Sequence, residues 1–223
     1  MDIQKQICNF INIDMPIAIV LGGLPGSGKS TIASYLEEKG FFIISKDTIR
    51  HALARQKYGD LPEAQLETYV NEFKKSLHPI IEIIVNLYFS HSLNDAVNAI
   101  QQLKNKNVQS YVEVYIRQLY VEIISHNYSG IVFDATHFNR RQRKLTLHEL
   151  DKRLPVYCIY LHTSIEQAYE GVKKRVATKV VYNGIEASGR NVPIAVIEEM
   201  KKFESLPKVE EGFKNVLIIK KGE

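Results

Sequence analysis

The 223-residue sequence has only two cysteines and no segment rich in proline, glycine or serine that would mark a linker. Cys8 and Cys158 lack the close spacing of a metal site, and two thiols in a chain of this size indicate a reducing compartment, so we expect a cytoplasmic protein. Residues 1–15 lack a basic start followed by an apolar stretch, and no apolar run is long enough to cross a bilayer. We expect neither secretion nor a membrane span.

The overall composition is that of a globular protein, with 45% hydrophobic and 24% charged residues. Because no linker-like break occurs, we expect one α/β domain over residues 1–223, carrying an elaboration. The net charge of +4 is too small to indicate a polyanionic partner by itself. Basic residues do cluster, and each cluster is typical of a solvated helix face or of a local anion-binding surface: Arg140, Arg141, Arg143 and Lys144, then Lys173, Lys174 and Arg175.

One motif stands out from this background. Residues 23–30 read Gly-Leu-Pro-Gly-Ser-Gly-Lys-Ser and follow an apolar run, which is the pattern G-x-x-x-x-G-K-S/T of a phosphate-binding P-loop. Its glycines let successive N–H groups point into one concavity, and its lysine can reach the outer phosphates. The next helix would present its positive dipole end there. We therefore expect a nucleotide to contact Gly23, Pro25, Gly26, Ser27, Gly28, Lys29, Ser30 and Thr31.

The distribution of apolar runs predicts the fold. Short runs rich in Val, Ile and Phe are typical of buried parallel strands and occur at residues 17–21, 41–45, 131–133, 156–161 and 216–219. Helical patterns lie between them, including residues 164–176 behind an expected Thr163–Glu166 capping box. The alternation predicts an open, doubly wound parallel sheet of about five strands with helices on both faces, the fold of a P-loop NTPase.

The second and third predicted strands are more than 80 residues apart, much further than an ordinary crossover requires. Residues 59–128 should therefore form a helical insertion. Two apolar stripes at helical spacing support this prediction: Leu93, Val97, Ile100 and Leu103, and Val112, Ile116, Leu119 and Ile123.

Asp47 follows the second strand, and Arg50 lies about one helical turn later. Asp47 could accept the proton of an attacking hydroxyl, with Arg50 orienting it or binding an anionic part of the acceptor. Asp is also a favoured residue of a first helical turn, so a purely structural role stays open.

The third strand ends at Asp134, which suits the carboxylate that coordinates Mg²⁺ together with the Ser30 hydroxyl. Thr136 and Asn139 follow it and could hydrogen-bond an acceptor, although Asn139 could equally be a helix N-cap. His137 has no recognisable partner in the sequence and suits a satisfied surface or supporting residue better than a general base.

Residues 171–192 have the position and polar composition of a lid. A lid arginine can neutralise charge on a transferred phosphoryl group, and Arg175 and Arg190 are the candidates. Arg175 could instead complement the dipole at a helix C-terminus.

Four segments together resemble P-loop kinases related to phage polynucleotide kinase: residues 23–31, 45–50, 133–143 and 192–200. The resemblance spans residues 17–219 apart from the insertion. It implies that Asp47 is the base that activates a 5′-hydroxyl and that Arg50 helps to bind the acceptor, and it implies an acceptor-side role for Thr136. The chain departs from the family at Gly171, where a first lid arginine is common, and at Ala135, where the phage enzyme has an acidic residue.

We therefore expect an ATP-dependent, Mg²⁺-requiring phosphotransferase whose acceptor is a polynucleotide 5′-hydroxyl. The catalytic residues would be Lys29, Asp47, Arg50 and Arg175. Two alternatives stay open: a small-molecule kinase on the same scaffold, and a regulatory protein that binds ATP without transferring phosphate. The sequence leaves open the choice between ATP and GTP and the oligomeric state.

Overall fold

A five-stranded parallel sheet carries the predicted apolar runs in the computed structural model, which describes residues 3–11, 15–59, 61–150, 153–175, 179–188 and 192–220. Its strands are β1 (Ile17–Gly23), β2 (Phe41–Ser45), β3 (Gly130–Asp134), β4 (Val156–His162) and β7 (Asn215–Lys220). They lie in the order β2-β3-β1-β4-β7. Every residue of β1 and β2 is buried, as expected for strands covered on both faces.

The register places β1 at the centre of the sheet. Leu21 pairs with Asp134 on one side, and Gly23 pairs with Leu161 on the other. The loop after β1 therefore begins between the carboxyl ends of β3 and β4, where open α/β sheets bind their ligands. The predicted fold class is confirmed.

The chain separates into two compact units. The sheet unit comprises the described residues of Met1–Ile43, Tyr128–Val180 and Ser188–Glu223, and the helical unit comprises those of Ile44–Asn127 and Val181–Ala187. The helices of the sheet unit are α1 (Ile3–Phe10), α2 (Lys29–Glu38), α8 (Arg140–Glu149), α9 (Ile165–Arg175) and α10 (Ile194–Lys202), with a short 3₁₀ turn at Val209–Glu211.

The helical unit contains α3 (Lys46–Tyr58), α4 (Glu63–Tyr69), α5 (Leu77–Ser90), α6 (Leu93–Gln101) and α7 (Gln109–Ser125), with 3₁₀ segments at Val70–Ser76 and Lys106–Val108. All four residues of the second predicted stripe, on α7, are buried. In the first stripe, Ile100 and Leu103 are buried, whereas Leu93 and Val97 are partly exposed. The helix α6 buries Ala96 as well as Ile100.

A hairpin lies within the predicted lid segment, where the sequence pattern indicated only a polar stretch. Its strands are β5 (Lys179–Tyr182) and β6 (Ile185–Ser188), which form a separate two-stranded sheet. The turn residues Asn183 and Gly184 have φ values of 49° and 72°. Asn-Gly between two apolar runs is a strong hairpin signal, so the sequence itself predicts this hairpin.

The predicted N-cap of α9 is wrong by one residue. Ser164 Oγ accepts from the Gln167 backbone N–H, and Gln167 Oε1 accepts from the Ser164 N–H, both at 3.2 Å. The capping box is therefore Ser164–Gln167 instead of Thr163–Glu166.

Within the described ranges, no helix has both the length and the apolar character needed to cross a membrane.

Candidate functional site

The P-loop between β1 and α2 has the backbone geometry of an anion cradle. Gly23, Gly26 and Gly28 have φ values of 134°, 78° and 101°, a region that other residues rarely enter. Gly28 is the N-cap of α2 and carries no side chain that could accept from the first-turn N–H groups. The helix therefore presents its positive end to the loop.

Lys29 lies inside this loop and is only 5% exposed. Its ammonium donates to the carbonyl oxygens of Gly23 and Leu24 at 2.9 and 2.8 Å, and to Ser27 Oγ at 3.4 Å. These acceptors all belong to the loop, so they aim the ammonium across it. A buried charge held in this way can exchange its neutral acceptors for phosphate oxygens.

The loop is packed against α9 through two glycines. A Cβ at Gly171 would overlap the carbonyl oxygen of Gly26, and a Cβ at Gly26 would overlap the carbonyl oxygen of Ala168. This contact explains the departure at residue 171, because no arginine fits against the loop backbone there. Gly171 supports the loop, a role that no pattern in the sequence indicated.

An apolar cluster behind the loop holds α9 and α10 in place. Leu24, Ala168, Val172 and Ile197 are each at most 2% exposed. Because Leu24 belongs to the loop itself, this packing fixes the phosphate cradle to the rest of the sheet unit.

The segment after β3 is joined to the loop by a backbone hydrogen bond of 2.8 Å from the Gly23 N–H to the Thr136 carbonyl. Asp134 is half-buried at the carboxyl end of β3, opposite Leu21, and Ser30 is half-buried in the first turn of α2. Among the described residues, no three His, Cys, Asp or Glu side chains are grouped to form a metal site.

Asn139 is the N-cap of α8, since its Oδ1 accepts from the Gln142 N–H at 3.0 Å. The structure thus shows the helix N-cap role that the sequence also allowed for Asn139. Thr136 Oγ1 contacts Gln142 Oε1 at 3.4 Å. A contact of Thr136 or Asn139 with an acceptor stays a prediction.

His137 is buried, 2% exposed, rather than on the surface. Its Nδ1 lies 2.7 Å from the Leu21 carbonyl oxygen and its Nε2 lies 2.8 Å from Thr146 Oγ1. A carbonyl only accepts, so Nδ1 donates, and in the neutral ring Nε2 accepts from the threonine hydroxyl. His137 therefore fastens the segment after β3 to the central strand.

Arg143 is fully buried, which corrects the interpretation of its basic cluster as a solvated helix face; Arg140, Arg141 and Lys144 are exposed as expected. Its guanidinium makes a two-pronged pair with the Glu211 carboxylate at 2.8 and 2.7 Å. Its Nη1 also donates to the carbonyl oxygens of His137 and Ser205 at 3.1 and 2.8 Å. Arg143 is a buried strut for the same segment.

Asp47 and Arg50 lie in the helical unit, in the first turns of α3. They form the expected ion pair one helical turn apart, with 47% of the Asp47 side chain and 8% of the Arg50 side chain exposed. Ser45 caps the helix by accepting from the Thr48 N–H at 3.5 Å. Ser45 is therefore the cap, and Asp47 is an acidic residue in the first turn of α3, where a carboxylate also stabilises the helix. A structural role for Asp47 thus stays open beside the catalytic one.

Arg175 is the last residue of α9, and Arg190 lies outside the described residues. Within the helical unit, the hairpin is tied to α3, because Arg55 donates to the Glu186 carbonyl oxygen at 2.6 Å.

Comparison with known families finds a match over residues 19–207 to a family described as AAA domain. A comparison with curated protein sequences finds no match. Among solved structures, TT1252 from Thermus thermophilus is similar at 19% identity, with 92% of this chain and 90% of that chain covered and a TM-score of 0.41. A gluconokinase from Sinorhizobium meliloti 1021 is similar at 16% identity, with 94% and 85% covered and a TM-score of 0.44. The family match includes the P-loop, the segment after β3, α9 and α10.

Proposed function

We propose that this chain, which belongs to the AAA domain family, is a phosphotransferase that moves the γ-phosphate of ATP to an acceptor hydroxyl. The observation that carries the proposal is the buried Lys29 ammonium aimed across a glycine cradle. Phosphoryl transfer depends mainly on positioning and charge neutralisation, which such a cradle provides.

On the donor side, the loop amides from Gly26 to Thr31 would hold the phosphates, and Lys29 would neutralise charge on the outer ones. Ser30 and Asp134 would hold Mg²⁺, which supplies further charge neutralisation when bound. Arg175 and Arg190 are the proposed lid cations. Substituting each in turn by methionine should lower kcat more than it raises KM if it acts on the transferred group.

On the acceptor side, we assign the role of base to Asp47. Nearly half of its side chain is exposed, so an incoming hydroxyl can reach it, and Arg50 orients the carboxylate. Asp47 would take the hydroxyl proton as the oxygen attacks the γ-phosphorus and ADP leaves. Arg50, Thr136 and Asn139 are the further residues that we propose for acceptor binding.

The acceptor we propose is a polynucleotide 5′-hydroxyl, and the resemblance of residues 45–50 and 133–143 to polynucleotide kinases supports it. A small-molecule acceptor is the second candidate. It would use the same donor side, because the P-loop cradle binds phosphates and does not itself select the acceptor.

One assay separates these functions. The protein is incubated with Mg²⁺, γ-labelled ATP and a panel of 5′-hydroxyl RNA and DNA, nucleosides and sugars. Label on oligonucleotides supports the first acceptor, and label only on small acceptors replaces it with the second. Tight ATP binding with no transfer to any acceptor would overturn the enzymatic proposal and leave a nucleotide-binding regulatory protein.

A further inference from the structure

The sheet unit contains a small apolar pocket beside the P-loop. It has a volume of about 160 Å³ and lies between the N-terminal helix α1 and the P-loop helix α2. Ile3, Gln4 and Ile7 of α1 form one wall, and Thr31 and Tyr35 of α2 form the other. The pocket has room for one flat ring system but not for a whole nucleotide, whose sites are typically larger than about 300 Å³.

The helix α1 is held firmly in this position. Ile7 is 1% exposed, and Cys8 Sγ lies 2.8 Å from the Tyr35 hydroxyl. At the far end of α1, Phe10 packs edge-on against Tyr157 of β4 with ring centroids 5.5 Å apart. The wall that α1 contributes is therefore fixed to both α2 and the sheet.

The pocket continues the phosphate cradle. Gly28 of the P-loop motif and Thr31, which directly follows the motif, line the pocket, and Leu161, which pairs with Gly23, borders it as well. The loop amides hold the inner phosphates, whereas the lysine reaches the outer two. The Lys29 ammonium contacts Gly23 and Leu24, so the outer phosphates belong at that end of the loop. The innermost phosphate, and the nucleoside attached to it, then lie at the other end, beside Gly28 and Thr31.

The chemistry of the walls suits a purine. Ile3 and Ile7 offer apolar surface to a ring face, and the Gln4 carboxamide carries a donor and an acceptor side by side. That pair matches the N6 amino group and N7 of adenine, whereas guanine presents two acceptors on the same edge.

We propose that α1 forms the base-binding wall of the nucleotide site and that Gln4 selects adenine over guanine. The inference rests on one part of the proposed function, which is that the P-loop binds a nucleoside triphosphate. It assigns to the first helix of the chain a specificity role that the P-loop motif alone does not contain.

Calorimetry with three probes tests the proposal: ATP, GTP and inorganic tripolyphosphate, which lacks a base. Relative to wild type, Ile3→Ala should weaken ATP binding about 10-fold and leave tripolyphosphate binding unchanged. Gln4→Ala, at an exposed position, should reduce the preference for ATP over GTP about 10-fold. Lys5→Ala, on the exposed side of the same helix, is the matched control and should alter neither ligand.

The outcomes are distinct. If tripolyphosphate binds but neither Ile3→Ala nor Gln4→Ala changes ATP affinity, the base pocket is wrong and the P-loop assignment survives. If Ile3→Ala weakens ATP and GTP equally and Gln4→Ala changes no preference, the wall is supported and the adenine selection is overturned. If wild type binds neither tripolyphosphate nor ATP, the proposed function fails together with this inference.

Discussion

The P-loop of the sheet unit and the first turns of α3 in the helical unit hold their functional residues in opposite ways. The loop is fixed by close backbone packing of Gly26 against Gly171 of α9, where no larger residue fits. Its Lys29 ammonium is buried and donates to carbonyl oxygens of the loop. Asp47 on α3 is nearly half exposed and pairs with Arg50. In the proposed function, backbone geometry thus determines the donor side, whereas an ion pair of side chains, half-exposed Asp47 and buried Arg50, determines the acceptor side. This difference explains why phosphate binding can be predicted from a motif and the acceptor cannot.

The largest expected effect is on the donor side. Lys29→Ala should lower phosphoryl transfer by ~100- to 1000-fold, because it removes the charge that neutralises the outer phosphates. Steady-state kinetics with labelled ATP measure this loss. Lys214→Ala, an exposed lysine of the same unit, is the control and should turn over like wild type. Wild-type turnover by Lys29→Ala would refute the assignment of the nucleotide site.

The second prediction concerns Arg143, the buried strut of the segment after β3. Arg143→Met leaves the Glu211 carboxylate, 8% exposed, without its guanidinium, and should lower the free energy of unfolding by about 3–5 kcal/mol. Chemical denaturation measures the change, with the exposed Arg141→Met on the same helix as the control. Adding Glu211→Gln to Arg143→Met should recover part of the loss. The strut interpretation fails if Arg143→Met costs no more than its control.

A pair of glycines compares the two units directly. Gly171→Ala in the sheet unit should lower the free energy of unfolding by about 1–3 kcal/mol and weaken tripolyphosphate binding, since the new methyl group displaces Gly26. Gly59 in the helical unit has φ 77° and ψ −170°, a conformation essentially limited to glycine, but no atom lies within 4 Å of an added Cβ. Gly59→Ala should therefore cost backbone strain of about 1–3 kcal/mol and leave tripolyphosphate binding unchanged. Equal effects of both variants on tripolyphosphate affinity would contradict the steric coupling of α9 to the loop.

The smallest expected effect is on the surface of the helical unit. Hydrogen bonds from Lys57 and then Tyr58 hold the pKa of Glu72 below its ordinary value of 4.5. The carboxylate therefore adds stability above that value and loses it as the pH falls through the lowered folded-state pKa. Glu72→Gln should be less stable than wild type near neutral pH, by less than the Arg143 variant because the site is exposed.

Denaturation at a series of pH values checks this sign. The difference between wild type and Glu72→Gln should shrink on acidification between about pH 5 and pH 3. A difference that stays constant or grows over this range would show that the ion pair and the tyrosine hydrogen bond do not stabilise the fold.

Much of the fold could be predicted from the sequence, because each sheet strand is a short apolar run and the P-loop motif specifies the loop and helix after β1. The features that escaped prediction depend on distant partners. The buried Arg143 guanidinium pairs with Glu211, 68 positions later, and also donates to the Ser205 carbonyl, whereas the local sequence shows only a basic cluster. Gly171 likewise has a role only because α9 packs on Gly26. The hairpin is different, since its Asn183-Gly184 turn is a local signal in the sequence.

In the proposed function the P-loop binds the nucleotide and Asp47 acts as the base in the transfer. Single-turnover transfer by Asp47→Asn at saturating ATP tests this division of roles most directly. Asparagine keeps the size of the side chain but cannot accept the acceptor proton. We predict ATP affinity close to wild type by calorimetry and a transfer rate reduced by about 100-fold or more. Transfer at the wild-type rate by Asp47→Asn would contradict the claim.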